Sequence, residues 1–140
     1  MTDRPPFHLA IPVDDLNTAL SFYRDTLGCG IGRTSERWID FDFFGHQLTV
    51  HVVSGKNEIS ANPVDGHKVP VRHFGVVLDM DAWNDLRRKL EDSDLEFLIK
   101  PYTRFQGKVG EQATLFVVDP AGNALEFKAF SDLDQLFASK

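Results

Sequence analysis

Three residues of this 140-residue chain have the types and placing to hold a metal ion: His8, His73 and Glu126. His8 interrupts FHLAIPV, His73 opens HFGVVL, and Glu126 lies within NALEFKAF. All three stretches have strand composition, and strand side chains alternate between faces. Phe7, Leu9, Ile11 and Val13 therefore oppose His8, Ala10 and Pro12. Phe74, Val76 and Leu78 likewise oppose His73, Gly75 and Val77, and Leu125 and Phe127 oppose Glu126 and Lys128. The small neighbours Ala10 and Gly75 leave room around the imidazoles. If the sheet curls so that these faces converge, two imidazoles and one carboxylate make a facial triad. Such a triad fills three coordination positions of a divalent ion and leaves others for water, substrate or dioxygen. The plain alternative is three unrelated polar strand residues, since a lone strand histidine is more often structural than a ligand. The face pattern alone leaves both readings open.

The elements that must position these residues occur twice. After Phe7–Val13, Asp14 or Asp15 can cap a helix whose apolar face is Leu16, Ala19, Leu20, Tyr23 and Leu27, with Gly28 placed to end it. Three strands are expected next, around Gly30–Thr34, over Arg37–Phe43 and over His46–Val53, the last two joined by a Phe44-Gly45 turn. The second half starts with a strand over Arg72–Leu78. A helix carrying Trp83, Leu86 and Leu90 on one face follows, and then strands in LEFLIK, EQATLFVV and NALEFKAF. Both halves thus read strand, helix, three strands, an architectural duplication that puts His8 and His73 at equivalent places. The expected organisation is one α+β domain of two tandem βαβββ modules forming a curved mixed-sheet cleft. Module one runs about 7–53, a linker 54–71, module two about 72–130, and a helical tail 131–140. The tail's Leu133, Leu136 and Phe137 suit a short amphipathic helix that docks on the domain or on a partner subunit. The second half is the longer, and the excess is assigned to KPYTRFQGKVGE, read as a loop.

Composition narrows the function classes. A chain of this length buries roughly two-thirds of its unfolded surface as one domain. Its 42% apolar and 26% charged content is that of an ordinary globular protein. A net charge of −6 with no basic stripe argues against a nucleic-acid partner. No apolar run is long enough to span a membrane, and the first residues lack the apolar core of a signal peptide, so a cytoplasmic location is expected. The single Cys29 excludes an intrachain disulfide and reads as a packing residue, and His67 reads as a solvated linker residue.

Three segments, FHLAIPVDDLNTALSFYRDTLG, RHFGVVL and FVVDPAGNALEF, resemble the vicinal oxygen chelate superfamily. That superfamily includes glyoxalase I, bleomycin-resistance proteins, fosfomycin-modifying enzymes and extradiol dioxygenases. The resemblance covers nearly the whole chain, and the Asp119-Pro120, Gly122-Asn123, Glu126 run is its most specific part. It implies paired βαβββ modules and a divalent metal held by His8, His73 and Glu126. Thr49 stands at the fourth-ligand position of glyoxalase I, where it is a poor ligand and suits substrate contact. His51, two residues on, suits a base beside the metal or an approach to the metal itself, and His46 is a further candidate for proton transfer. Tyr102 is a candidate for proton transfer too, and Tyr102 and Arg104 both suit a lid or a contact to a substrate anion. A His, His, Glu set is more similar to those of extradiol dioxygenases and fosfomycin-modifying enzymes than to that of glyoxalase I; the dioxygenase reading implies Fe(II), with Mn, Ni, Co or Zn as alternatives. The matching reaction is ring cleavage of a small substrate bearing vicinal oxygens, although Phe116 stands where a tyrosine would help proton transfer. A non-oxidative lyase, isomerase or epimerase, and a small-molecule-binding resistance protein, are the rival readings. Similar proteins are frequently homodimers, so a homodimer is expected.

Overall fold

The computed structural model describes residues 4–54 and 60–139. Contacts group the chain into two compact units, Met1–Glu58 with Asp119–Asn123, and Ile59–Val118 with Ala124–Lys140. The turn inside the FVVDPAGNALEF motif therefore groups with the first unit, where the sequence placed it in the second module.

In the first unit, β1 (His8–Val13), α1 (Leu16–Leu20), β2 (Gly30–Thr34), β3 (Trp38–Phe43) and β4 (His46–Val52) follow the expected order. The sheet order is β1-β4-β3-β2, with β1 parallel to β4 and the other pairs antiparallel. Asp15 is the helix cap, its carboxylate accepting the Asn17 N–H at 2.7 Å. Beyond α1 the helix widens into a π-helical turn over Ser21–Thr26, and Gly28, at φ 81°, ends it. Ile11, Val13, Phe22, Phe41, Leu48 and Val50 form the core. Alternation then sends Thr49 and His51 to the opposite face of β4, with the side chains of Asp40 and Asp42 on β3.

Tyr23 is fully buried in this unit, yet its hydroxyl is satisfied, donating to Asp119 Oδ2 at 2.7 Å. Asp119 Oδ1 also accepts the backbone N–H groups of Ala121 and Asn123. The Asn123 side chain donates to the Pro12 carbonyl at 2.8 Å and to Asp119 Oδ2 at 2.9 Å. The Asp-Pro-x-Gly-Asn run is thus a polar clamp that ties its own turn to the end of β1 and to the helix.

In the second unit, β5 (Ser60–Val64) and β6 (His67–Val71) form a hairpin around Asp65-Gly66, both at positive φ. β7 (Phe74–Leu78), α2 (Met80–Asp92), β8 (Ile99–Arg104), β9 (Gln112–Val118) and β10 (Ala124–Phe130) complete it. Their sheet order is β7-β10-β9-β8, with β7 parallel to β10. Trp83, Leu86 and Leu90 of α2 are buried, and the Trp83 indole donates to the Phe127 carbonyl at 2.8 Å.

Three expectations need correcting. The stretch read as a linker carries the β5–β6 hairpin, whose prolines Pro63 and Pro70 are tolerated because a two-stranded ribbon is edge on both sides. Of LEFLIK only the last two residues, Ile99 and Lys100, are in the strand. β8 begins at Ile99 and runs through Pro101 to Arg104, so Tyr102 and Arg104 lie on a strand and not in a loop. β8 is the edge of its sheet and is irregular between Ile99 and Tyr102, which lets it accept a proline. The tail forms only a 3₁₀ turn, Leu133–Gln135, with Leu133 half exposed and Phe137 90% exposed. No described helix is long and apolar enough to cross a membrane.

Candidate functional site

The second unit brings His73 and Glu126 together. His73 ends the connection from β6 to β7, and Glu126 lies in β10, where its Cα partner on β7 is Gly75. A Cβ on Gly75 would sit 1.5 Å from the Glu126 carbonyl oxygen, so only glycine permits this approach of the two backbones. His73 Nε2 lies 3.1 Å from Glu126 Oε1. His73 Nδ1 is 2.6 Å from the Pro70 carbonyl oxygen on β6. The other carboxylate oxygen, Oε2, accepts the Thr114 hydroxyl at 2.5 Å. Phe116, the β9 partner of Glu126, packs edge-on against the His73 ring at 5.0 Å.

The electrostatics follow from these contacts. The hydrogen bond to Glu126 raises the His73 pKa, opposed by burial and by the Lys128 charge. Burial pushes the Glu126 carboxyl up, but His73, Thr114 and Lys128 outweigh it and hold the pKa below the ordinary value. Both shifts favour the ionised form of each group relative to the isolated side chain.

Tyr102, on the same sheet, donates its hydroxyl to Asp65 Oδ2 at 2.9 Å, and Arg104 Nε lies 2.5 Å from the same oxygen. That N–H does not point along its contact, so Arg104 and Asp65 form an ion pair without an aligned hydrogen bond. Burial, then the Asp65 hydrogen bond, push the Tyr102 phenol up to about 12. His67 is not a solvated linker residue: its ring lies 5.0 Å from that of Tyr102. The hairpin tip is thereby fastened to β8, and Val64, Val69, Ile99, Phe116 and Tyr102 form a small apolar cluster beneath it.

In the first unit His8 is exposed on β1 and pairs with Gln47. Thr49 is buried and donates to Asp40 Oδ1 at 2.6 Å. His51 is exposed on β4, and His46 Nδ1 accepts the Phe7 N–H at 2.8 Å. An open depression of about 540 Å³ lies over Gly30, Gly32, Asp40, Asp42, His46 and Gln47. Apart from His46, none of the residues expected to do chemistry lines it. Among the described residues no group of three His, Cys, Asp or Glu side chains stands ready to hold a metal. His73 and Glu126 are the pair that the second unit assembles by itself. Pro70, Thr114 and Asp65 were not anticipated, because their roles arise from hairpin and strand pairing and leave no local pattern. Lys128 did leave one, sharing a strand face with Glu126.

A duplicated strand, helix, three-strand order with this clamp motif defines a class of small paired-module α+β folds. Residues 6–127 match the family model described as the glyoxalase/bleomycin resistance protein/dioxygenase superfamily, and the chain belongs to that family. A glyoxalase/bleomycin resistance protein/dioxygenase from Alicyclobacillus acidocaldarius is 35% identical, with a TM-score of 0.82 over 95% of this chain and 96% of that one. The fold is shared at lower identity with a lactoylglutathione lyase from Agrobacterium tumefaciens, at 19%, TM-score 0.64, over 96% of this chain and 99% of that one. It is shared too with the fosfomycin resistance protein FosX from Listeria monocytogenes, at 14%, TM-score 0.67, over 96% and 98%. No curated protein matches the chain.

Proposed function

We propose that the chain is a metal-dependent enzyme that takes a small substrate through two adjacent oxygens, and that its reaction is extradiol-type ring cleavage. One observation carries this reading: His73 Nε2 and Glu126 Oε1 face each other at 3.1 Å while Nδ1 and Oε2 are held elsewhere. A carbonyl only accepts, so Pro70 fixes the hydrogen of neutral His73 on Nδ1 and leaves the Nε2 lone pair facing Glu126. Ligating histidines are commonly anchored this way through their other nitrogen. Two lone pairs 3.1 Å apart repel unless a proton or a cation lies between them, and an imidazole–carboxylate donor set fits a divalent ion. The third ligand proposed is His8, as the sequence leads one to expect.

When bound, such an ion supplies Lewis acidity to two chelated oxygens and, if it is Fe(II), redox chemistry with dioxygen. The chain's own residues do the rest. Pro70 keeps the imidazole in one tautomer, Thr114 orients the carboxylate, and Phe116 excludes water beside His73. Tyr102 keeps its proton at neutral pH and donates it to Asp65, so toward a substrate its oxygen accepts and it is not an anionic base. Arg104 neutralises Asp65 beneath it and is proposed to meet the substrate through its remaining N–H groups. Thr49 and His51 are proposed as a substrate contact and a base from the first unit.

A non-oxidative lyase or isomerase with Mn, Ni, Co or Zn is the second reading. Phe116 favours it, because a phenyl ring beside His73 cannot relay the protons that ring cleavage needs. Anaerobic loading with Fe(II), followed by catechols and air, separates the two. A yellow ring-cleavage product is expected, whereas none with any catechol, together with activity on Mn or Zn, would leave the non-oxidative reading.

A further inference from the structure

The polar face of the second sheet carries two cations, and they are not equivalent. Arg104 is ion-paired with Asp65 and stacks over the Phe105 ring at 4.8 Å. Lys128 forms no close ion pair among the described residues; its ammonium lies 6.0 Å from the Phe130 ring and acts on the Glu126 carboxylate through space. It is held on the site face because Leu125, Phe127 and Ala129, at 0% exposure, take the alternate positions of β10 in the core. Lys128 is itself half-buried, with Val77 and Thr114 as its Cα partners, and Thr114 is also the β8 partner of Tyr102. The row Val77, Lys128, Thr114, Tyr102 therefore lies beside the row Gly75, Glu126, Phe116 that holds the carboxylate. Thr114 bridges the two rows through its bond to Glu126.

An ammonium on the site face with no carboxylate close enough to pair, two residues from the carboxylate proposed to hold the metal, is available to an arriving anion. Residues two apart on a strand stand about 6.5–7 Å from one another. We propose that Lys128 is the specificity-determining residue of this site. It selects substrates in which the oxygen pair is followed, at about that distance, by a carboxylate or comparable anionic group. This assignment rests on the metal reading of His73 and Glu126.

The test uses zinc-loaded protein, so that no turnover occurs, and compares catechol with 3,4-dihydroxybenzoate, 3,4-dihydroxyphenylacetate and 3,4-dihydroxyphenylpropionate by calorimetry. At least one acid is expected to bind wild type about tenfold more tightly than catechol, as one desolvated ion pair allows. In Lys128→Met the ratio falls to near one with zinc content unchanged, and Lys128→Arg recovers part of it. Wild type that binds zinc but prefers none of the acids, or a Lys128→Met variant that keeps the full preference, overturns the assignment alone. Wild type that takes up no zinc overturns the metal reading and this inference with it.

Discussion

His73 Nε2 and Glu126 Oε1 meet at 3.1 Å although 53 residues separate them, because a glycine on β7 lets β10 lie close beside the histidine. Gly75 is thus as much a part of the site as the two groups proposed to hold the metal. Gly75→Ala drives a methyl group into the Glu126 carbonyl, and the strand pair must separate. A loss of about 3 kcal/mol is expected, at the upper end for overpacking, together with weakened metal uptake. Chemical denaturation of the variant checks this, and an unchanged midpoint would show that the strands are freer to move than their spacing implies.

The two tyrosines offer a spectroscopic check. Tyr102 is pushed up to about 12, and Tyr23, by burial and then by Asp119, is raised well above 10. Both folded values exceed the unfolded one, so the protonated phenols contribute stability that is fully present below pH 10. That contribution is lost as pH rises through the folded values. Absorbance at alkaline pH should show neither tyrosine ionising at pH 10 in the folded protein. Asp65→Asn should bring the Tyr102 transition down only part of the way, since burial is the larger cause.

The clamp around Asp119 predicts a stability effect without a chemical one. Tyr23→Phe removes a buried hydroxyl and leaves Asp119 Oδ2 with only the Asn123 amide. Asn123→Ala removes both the bond to Asp119 and the bond to Pro12. Each should cost about 1–3 kcal/mol, the range for stripping a partner from a buried polar group. Thermal melts measure the loss, and metal content measured on the still-folded protein should stay at the wild-type level.

Much of this was legible in the residues, and what was missed has physical causes. The strand alternation that set Glu126 and Lys128 against Leu125 and Phe127 survives in the burial of β10. The spacing of Trp83, Leu86 and Leu90 likewise marked the buried face of α2. β8 was displaced because LEFLIK is the more apolar run, whereas the strand itself contains Pro101 and is held by edge pairing to β9. The β5–β6 hairpin was hidden by its prolines, although its Asp65-Gly66 pair is a turn signal. Pairing His73 with Glu126 needed the duplication and the family resemblance, since neither residue stands out locally. The contrast between Arg104 and Lys128 depends on Asp65 reaching β8 from the hairpin, which no spacing encodes.

The central claim is that His73 and Glu126 are metal ligands, and metal analysis of protein purified without oxygen tests it most directly. Wild type should carry or take up about one divalent ion per chain, as a single site requires. His73→Ala and Glu126→Gln should retain less than about a tenth of that content, and His8→Ala should lower it too. A wild-type protein that stays metal-free after exposure to Fe(II), Mn(II) and Zn(II), or variants that load as fully as wild type, would contradict the account.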